Sequence, residues 1–158
     1  MKRVISAFVL VALLAMMLSG CSTTKSYTFN VSSGDRVKVE LETGDGYSIR
    51  QSDGEFTVTK DGNEIFTGRF GLEAQVKQYA EALGKAIGVE SCECESIAGK
   101  DGFSDITVYS YTYSYEKNEP EIDFIVFIDG SNTAVILKGM SEEDNARAAF
   151  ERLSFAVE

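Results

Sequence analysis

Two thiols spaced two residues apart, Cys92 and Cys94 on either side of Glu93, are the most reactive local pattern in the chain. Such a pair can hold a soft metal such as Cu(I), form a disulfide locally or with another molecule, or fill small core positions. On a regular strand, residues i and i+2 share a face with Cβ atoms about 6.5 Å apart, whereas a disulfide needs about 3.8 Å. A direct bridge therefore requires a local bulge. No histidine assists the pair, and Met140 is the only methionine after residue 20. The three readings stay open at this point.

The lack of histidine reaches further than this motif. It removes Ser-His and Cys-His nucleophile pairs, the commonest general base and the commonest zinc ligand. The remaining carboxylates, tyrosines and lysines show no catalytic spacing. Asp129 to Asn132 offers oxygen ligands but lacks the alternating positions and distal Glu of a calcium loop, so it reads as a hairpin turn. The expectation is a protein that is not an enzyme and carries no cofactor and no metal.

A second pattern is a row of tyrosines, Tyr109, Tyr111, Tyr113 and Tyr115, separated by Ser110, Thr112 and Ser114. Period two places the rings on one face of one strand. Tyrosine is amphipathic, so the row can floor a sugar site, anchor a protein partner, or lie half-buried under a helix with its phenols reaching solvent. Tyr113 and Tyr115, with Tyr111 beside them, are the expected binding face, because they approach the polar end of the strand at Glu116-Lys117-Asn118.

The elements that carry these residues are legible from periodicity. Tyr27, Phe29 and Val31 alternate with polar residues, as do Val37, Val39 and Leu41, and Asp53-Gly54 and Asp61-Gly62 punctuate the following strands as hairpin turns. The N-terminal half is thus predicted to be a β-meander ending near Phe70. From Gly71 the period changes, and Leu72, Val76, Tyr79, Ala80, Leu83 and Ile87 line one face of a helix closed by Gly88. Strands follow over Val89 to Ile97, Phe103 to about Glu116, Ile122 to Ile128 and Thr133 to Lys138. The third of these is apolar on both faces and is expected at the centre of a sheet. A last helix is predicted with Ser141 as its cap, Asp144 completing a capping box, and Ala146, Ala149, Phe150 and Leu153 on its buried face. The sum is an α+β fold: a layered α/β sandwich, mostly antiparallel, with one middle and one C-terminal helix.

The N-terminus has a different plan. Lys2 and Arg3 precede an apolar run from Val4 to Leu18, which is too short for a bilayer span and has the proportions of a secretory signal. It ends in Leu18-Ser19-Gly20-Cys21, which resembles the lipobox of bacterial lipoproteins. That resemblance implies cleavage before Cys21, diacylation of its thiol with palmitate-like chains, and an extracytoplasmic protein on the cell membrane, held by the lipid anchor alone. The predicted organisation is a signal peptide over 1–20, a lipidated tether over 21–26 and a single domain over 27–158, a length suited to one core. Of 15 Lys and Arg against 25 Asp and Glu, Lys2 and Arg3 leave with the signal, so the formal charge of −10 becomes more negative still. Such a surface repels nucleic acid and anionic headgroups, and nucleic acid is not an expected partner.

The order of elements, together with the endings Ile136-Leu137-Lys138-Gly139 and Phe150-Glu151-Arg152-Leu153-Ser154-Phe155, resembles the Mog1/PsbP-like fold. Tyr47 stands near Gly46 where a Trp would be expected. The resemblance implies a non-enzymatic interaction module. The leading expectation is a membrane-anchored envelope protein that binds an envelope protein or a cell-wall glycan. The alternative is a thiol-dependent redox or soft-metal-handling protein using Cys92 and Cys94.

Overall fold

The computed structural model describes residues 23–114 and 120–158. The expected signal peptide, Cys21 and Tyr115 lie outside the described residues. Ten strands and two helices follow in the order β1 (Thr23–Asn30), β2 (Arg36–Thr43), β3 (Tyr47–Ser52), β4 (Glu55–Lys60), β5 (Asn63–Leu72), α1 (Glu73–Leu83), β6 (Val89–Ile97), β7 (Ile106–Ser114), β8 (Pro120–Ile128), β9 (Thr133–Gly139), α2 (Glu143–Phe150) and β10 (Leu153–Val157). They form a three-stranded sheet, β1-β2-β10, and a seven-stranded sheet, β3-β4-β5-β9-β8-β7-β6. Every strand pairing is antiparallel. The α+β sandwich predicted from periodicity is present, with its layers more unequal than a meander implies.

The predicted meander splits between the two sheets. β1 and β2 form a hairpin in the small sheet, while β3, β4 and β5 form three consecutive strands of the large one. The crossing occurs at Gly44-Asp45-Gly46, where Asp45 and Gly46 take positive φ values of 48° and 83°. The same Asp-Gly signature closes the next two hairpins, with φ of 48° and 80° at Asp53-Gly54 and 50° and 83° at Asp61-Gly62, as type I′ turns require. β1 reaches into the segment expected to be a tether. Residues 23–26 are exposed, yet they continue the hairpin, with Thr23 opposite Thr43 and Ser26 opposite Glu40. Backbone pairing extends the strand where composition alone gives no signal.

The inner faces of the sheets enclose the main core. Val37, Val39 and Leu41 on β2 are fully buried, as alternation predicts, and meet Phe56, Val58, Phe66, Val126 and Leu137 of the large sheet. Phe56 lies within 6.5 Å, between ring centroids, of Phe29, Phe70 and Phe155. Gly68 makes room for it, since a Cβ there would stand 2.2 Å from the Phe56 ring. β8 has a neighbour on each side and apolar cover on both faces, in agreement with its sequence pattern.

The C-terminus departs from expectation. α2 ends at Phe150, and Leu153 to Val157 form β10, paired with β2 from Leu153 opposite Leu41 to Val157 opposite Val37. Leu153, Phe155 and Ala156 are buried there. A helical reading of Leu153 accounts for one apolar residue, whereas the strand buries three and completes the small sheet. The cap also shifts by one residue. Glu142, held by a bridge to Glu121, occupies the N-cap position without a side-chain hydrogen bond, so Ser141 and Asp144 form no capping box.

Candidate functional site

α1 is the only helix on the outer face of the large sheet among the described residues, and it is shorter than its apolar stripe. Leu72 still belongs to β5, and the helix stops at Leu83 with Gly84 as its C-cap; Gly88, at φ 92°, instead turns the chain into β6. Val76 and Ala80 are buried, whereas Tyr79 is 42% exposed and Ile87 fully exposed. The first turn is steadied by the Glu73 N–H, which donates to the Asn132 carbonyl, and by a Glu73–Lys77 ion pair. Eleven residues cover β5, β9, β8 and the Ser114 end of β7, and leave β6 and the rest of β7 projecting beyond the helix.

Tyrosine rings bridge part of that gap. Tyr111 is buried, and its hydroxyl donates to the Ala80 carbonyl at 3.2 Å. Tyr113 is buried in the same cluster, with Val76, Ala80, Ile125 and Ala134. Both rings therefore serve as packing under α1, which corrects the expectation that Tyr111 and Tyr113 form an exposed binding face. The physical reason is the helix position: α1 lies over the end of β7 nearest Ser114, away from Ile106. Tyr109, omitted from the expected face, is the ring left half-exposed. It meets Phe127 edge-on at 5.8 Å and 83°.

Tyr109 and Phe127 floor an open cleft of about 670 Å³ between α1 and the projecting strands. Lys77, Glu81 and Lys85 rim it from the helix side, Thr107 and Asp129 from the opposite end, and Cys92 from the outer strand. The Lys77 ammonium lies 5.8 Å from the centre of the Phe127 ring, within cation–π range. Sequence reading missed this set because the residues come from four separate elements. Period two on β8 does put Phe127 on the outward face, and the i, i+4 spacing of Lys77 and Glu81 places them on one side of the helix.

Cys92 and Cys94 are exposed and free on β6, the outermost strand of the large sheet, so the small-core reading of both is overturned. They stand opposite Tyr111 and Tyr109 respectively in a regular stretch of ladder; the register shift in β6 falls between Val89 and Ser91. A hydrogen bond to Cys94 and the charge of its thiolate push the Tyr109 phenol above its ordinary pKa. Burial, then the negative charge of Cys92, does the same for Tyr111. No group of three or more His, Cys, Asp or Glu side chains is placed to hold a metal among the described residues.

A buried carboxylate, also missed, lies on this same face. β8 and β9 pair as far as Phe124 and Leu137, and beyond that point the Asp123 side chain takes over the ladder, accepting the Gly139 N–H at 2.8 Å. The chains approach so closely that a Cβ on Gly139 would meet the Ile122 carbonyl at 2.2 Å. Burial raises the Asp123 pKa, opposed by the Gly139 hydrogen bond, the Lys138 charge and a hydrogen bond from Tyr113.

No described helix is long and apolar enough to cross a membrane. No protein-family model, curated protein or solved structure matches the chain.

Proposed function

We propose that this protein is a lipid-anchored module on the extracytoplasmic face of the cell membrane, diacylated at Cys21, that binds a cell-wall glycan in the cleft between α1 and β6–β7 without transforming it. The observation that carries the reading is the Tyr109–Phe127 floor, half-open and set in a cleft of about 670 Å³. Sugars present an apolar C–H face and a polar rim. The first suits an aromatic floor, and the second suits Glu81, Lys85 and Asp129 around it. A sheet strand holds Tyr109 with little entropy left to lose on binding.

The envelope address rests on the lipobox-like Leu18-Ser19-Gly20-Cys21 at the end of an apolar run, and on an acidic surface that does not compete for anionic headgroups. We also propose that the domain is a Mog1/PsbP-like variant. Its support is the order of elements up to β9; the terminal β10 is a departure from the ending on which the likeness was first read.

The decisive experiment titrates soluble, peptide-free cell-wall glycan chains into the full protein by calorimetry, in parallel with Tyr109→Ala. Saturable binding that weakens about tenfold or more in the variant supports the reading, since an aromatic hot spot is worth about 2 kcal/mol. Binding that is absent, or equal in both proteins, overturns the glycan assignment. If an envelope protein is instead captured by the parent and lost by Tyr109→Ala, the cleft is a protein-binding site. The anchor is tested separately: Cys21→Ala should abolish labelling by radioactive palmitate, and unchanged labelling would refute it.

A further inference from the structure

We propose that Cys92 and Cys94 form a linear two-thiolate site for a soft monovalent d10 cation, Cu(I) in the first instance, at the outer edge of the cleft. The inference is independent of the glycan reading. It starts from what the pair cannot do. In the regular ladder opposite Tyr111 and Tyr109, the two Cβ atoms are about 6.5 Å apart, beyond the roughly 3.8 Å that a disulfide requires. A tetrahedral zinc site needs four ligands, and no third His, Cys, Asp or Glu joins the pair among the described residues.

A linear site asks for two sulfurs only. With metal–sulfur bonds of about 2.3 Å, the sulfurs stand about 4.6 Å apart. Each thiol on the strand need lean inward by only about 1 Å from its Cβ separation, which staggered rotamers permit without moving the backbone. Soft thiolates select soft monovalent ions over Mg(II) or Ca(II). Both side chains are exposed, so the ion has an open path, and Cys92 lines the cleft itself. As each metal–sulfur bond forms, the thiol proton passes to solvent, so a monovalent cation and two thiols give a complex of net charge −1 and two released protons. The Lys77 ammonium, 5.8 Å over the Phe127 ring and lining the same cleft as Cys92, carries the opposite charge.

The test uses the full chain carrying Cys21→Ser in mild detergent, so that Cys92 and Cys94 are its only thiols. Reduced protein is titrated anaerobically with Cu(I) against a coloured Cu(I) chelator, with stoichiometry read by native mass spectrometry. One Cu(I) per monomer is expected. Groups that merely orient a ligand are worth about 10- to 100-fold in affinity, so Cys92→Ser and Cys94→Ser should each weaken binding by more than about 100-fold. Ag(I) should compete and Zn(II) should not. Failure to draw Cu(I) from the chelator, equal binding by either serine variant, or one metal bridging two chains would each overturn the proposal. Circular dichroism of the variants confirms that any loss is not unfolding.

Discussion

One face of the seven-stranded sheet carries Phe56, Phe66, Phe124, Val126 and Leu137 beneath a second sheet and α2, whereas the opposite face carries Tyr109, Tyr111, Tyr113 and Asp123 beneath a single helix. The first face is closed by apolar groups that need no polar partner. On the second, Ile125, Phe127 and Ile136 are joined by tyrosines and a carboxylate whose polar ends reach an acceptor, a neighbour or water. Cover is the difference. A short helix cannot roof seven strands, so residues near its margin must be amphipathic, and the strands that run past it become the walls of a cleft.

The comparison breaks first at Phe56. Its ring is 1% exposed and touches aromatics from β1, β5 and β10, so Phe56→Ala should cost about 3–5 kcal/mol in chemical denaturation. Phe150→Ala, which removes the ring stacked on Phe124 at 4.4 Å, belongs to the same class. Tyr109→Ala on the opposite face should cost much less while weakening glycan binding about tenfold or more. Equal losses at Phe56 and Tyr109 would mean that the outer face is as closed as the inner one.

This asymmetry also explains what the sequence discloses. Val37, Val39, Leu41 and the doubly apolar β8 were legible because period two reports burial directly. β10 was hidden because Leu153-Ser154-Phe155-Ala156-Val157 follows a real helix and is too short to declare its own period. The thiols of β6 were placed on one face correctly, but their exposure depends on the strand being the outermost of seven, a property of topology rather than of local pattern. In the same way, only the position of α1 over the Ser114 end of β7 decides that Tyr111 and Tyr113 are covered and Tyr109 is not.

The hydroxyl of Tyr111 sharpens the contrast at an intermediate scale. Tyr111→Phe keeps the ring but removes one of the two donors to the Ala80 carbonyl, which still accepts the Gly84 N–H, and should cost up to about 1 kcal/mol. A stability equal to that of the parent would show that solvent replaces the lost donor.

Two carboxylates predict opposite pH behaviour. Burial raises the Asp123 pKa, so the native state holds its proton more tightly than the unfolded chain, whose value is about 3.9. Its contribution to stability is fully present below that value and is lost as pH rises through the raised native pKa. The stability of Asp123→Asn relative to the parent should therefore increase with pH across this window and then level off. Hydrogen bonds from Ser131 and Ser33 lower the pKa of Asp35, whose contribution is present above the unfolded value and is lost as pH falls through the native one. Asp35→Asn should thus fall behind the parent as pH rises through about 4. Parallel curves for the two variants would contradict the assigned environments.

The smallest effect is expected where the outer face ends. Cys92 and Cys94 are exposed on a strand with no neighbour beyond it among the described residues, so serine in their place removes no buried volume and leaves no polar group without water. Exposed substitutions of this kind usually stay within about 0.5 kcal/mol of the parent. The double variant Cys92→Ser/Cys94→Ser should accordingly unfold at the denaturant midpoint of the metal-free, reduced parent, with the same slope. With one equivalent of Cu(I) present, the parent alone should gain stability, because a ligand that binds the native state stabilises it by mass action. A double variant that is markedly less stable without metal would return the thiols to the core, and a gain from Cu(I) that survives in it would place the metal elsewhere.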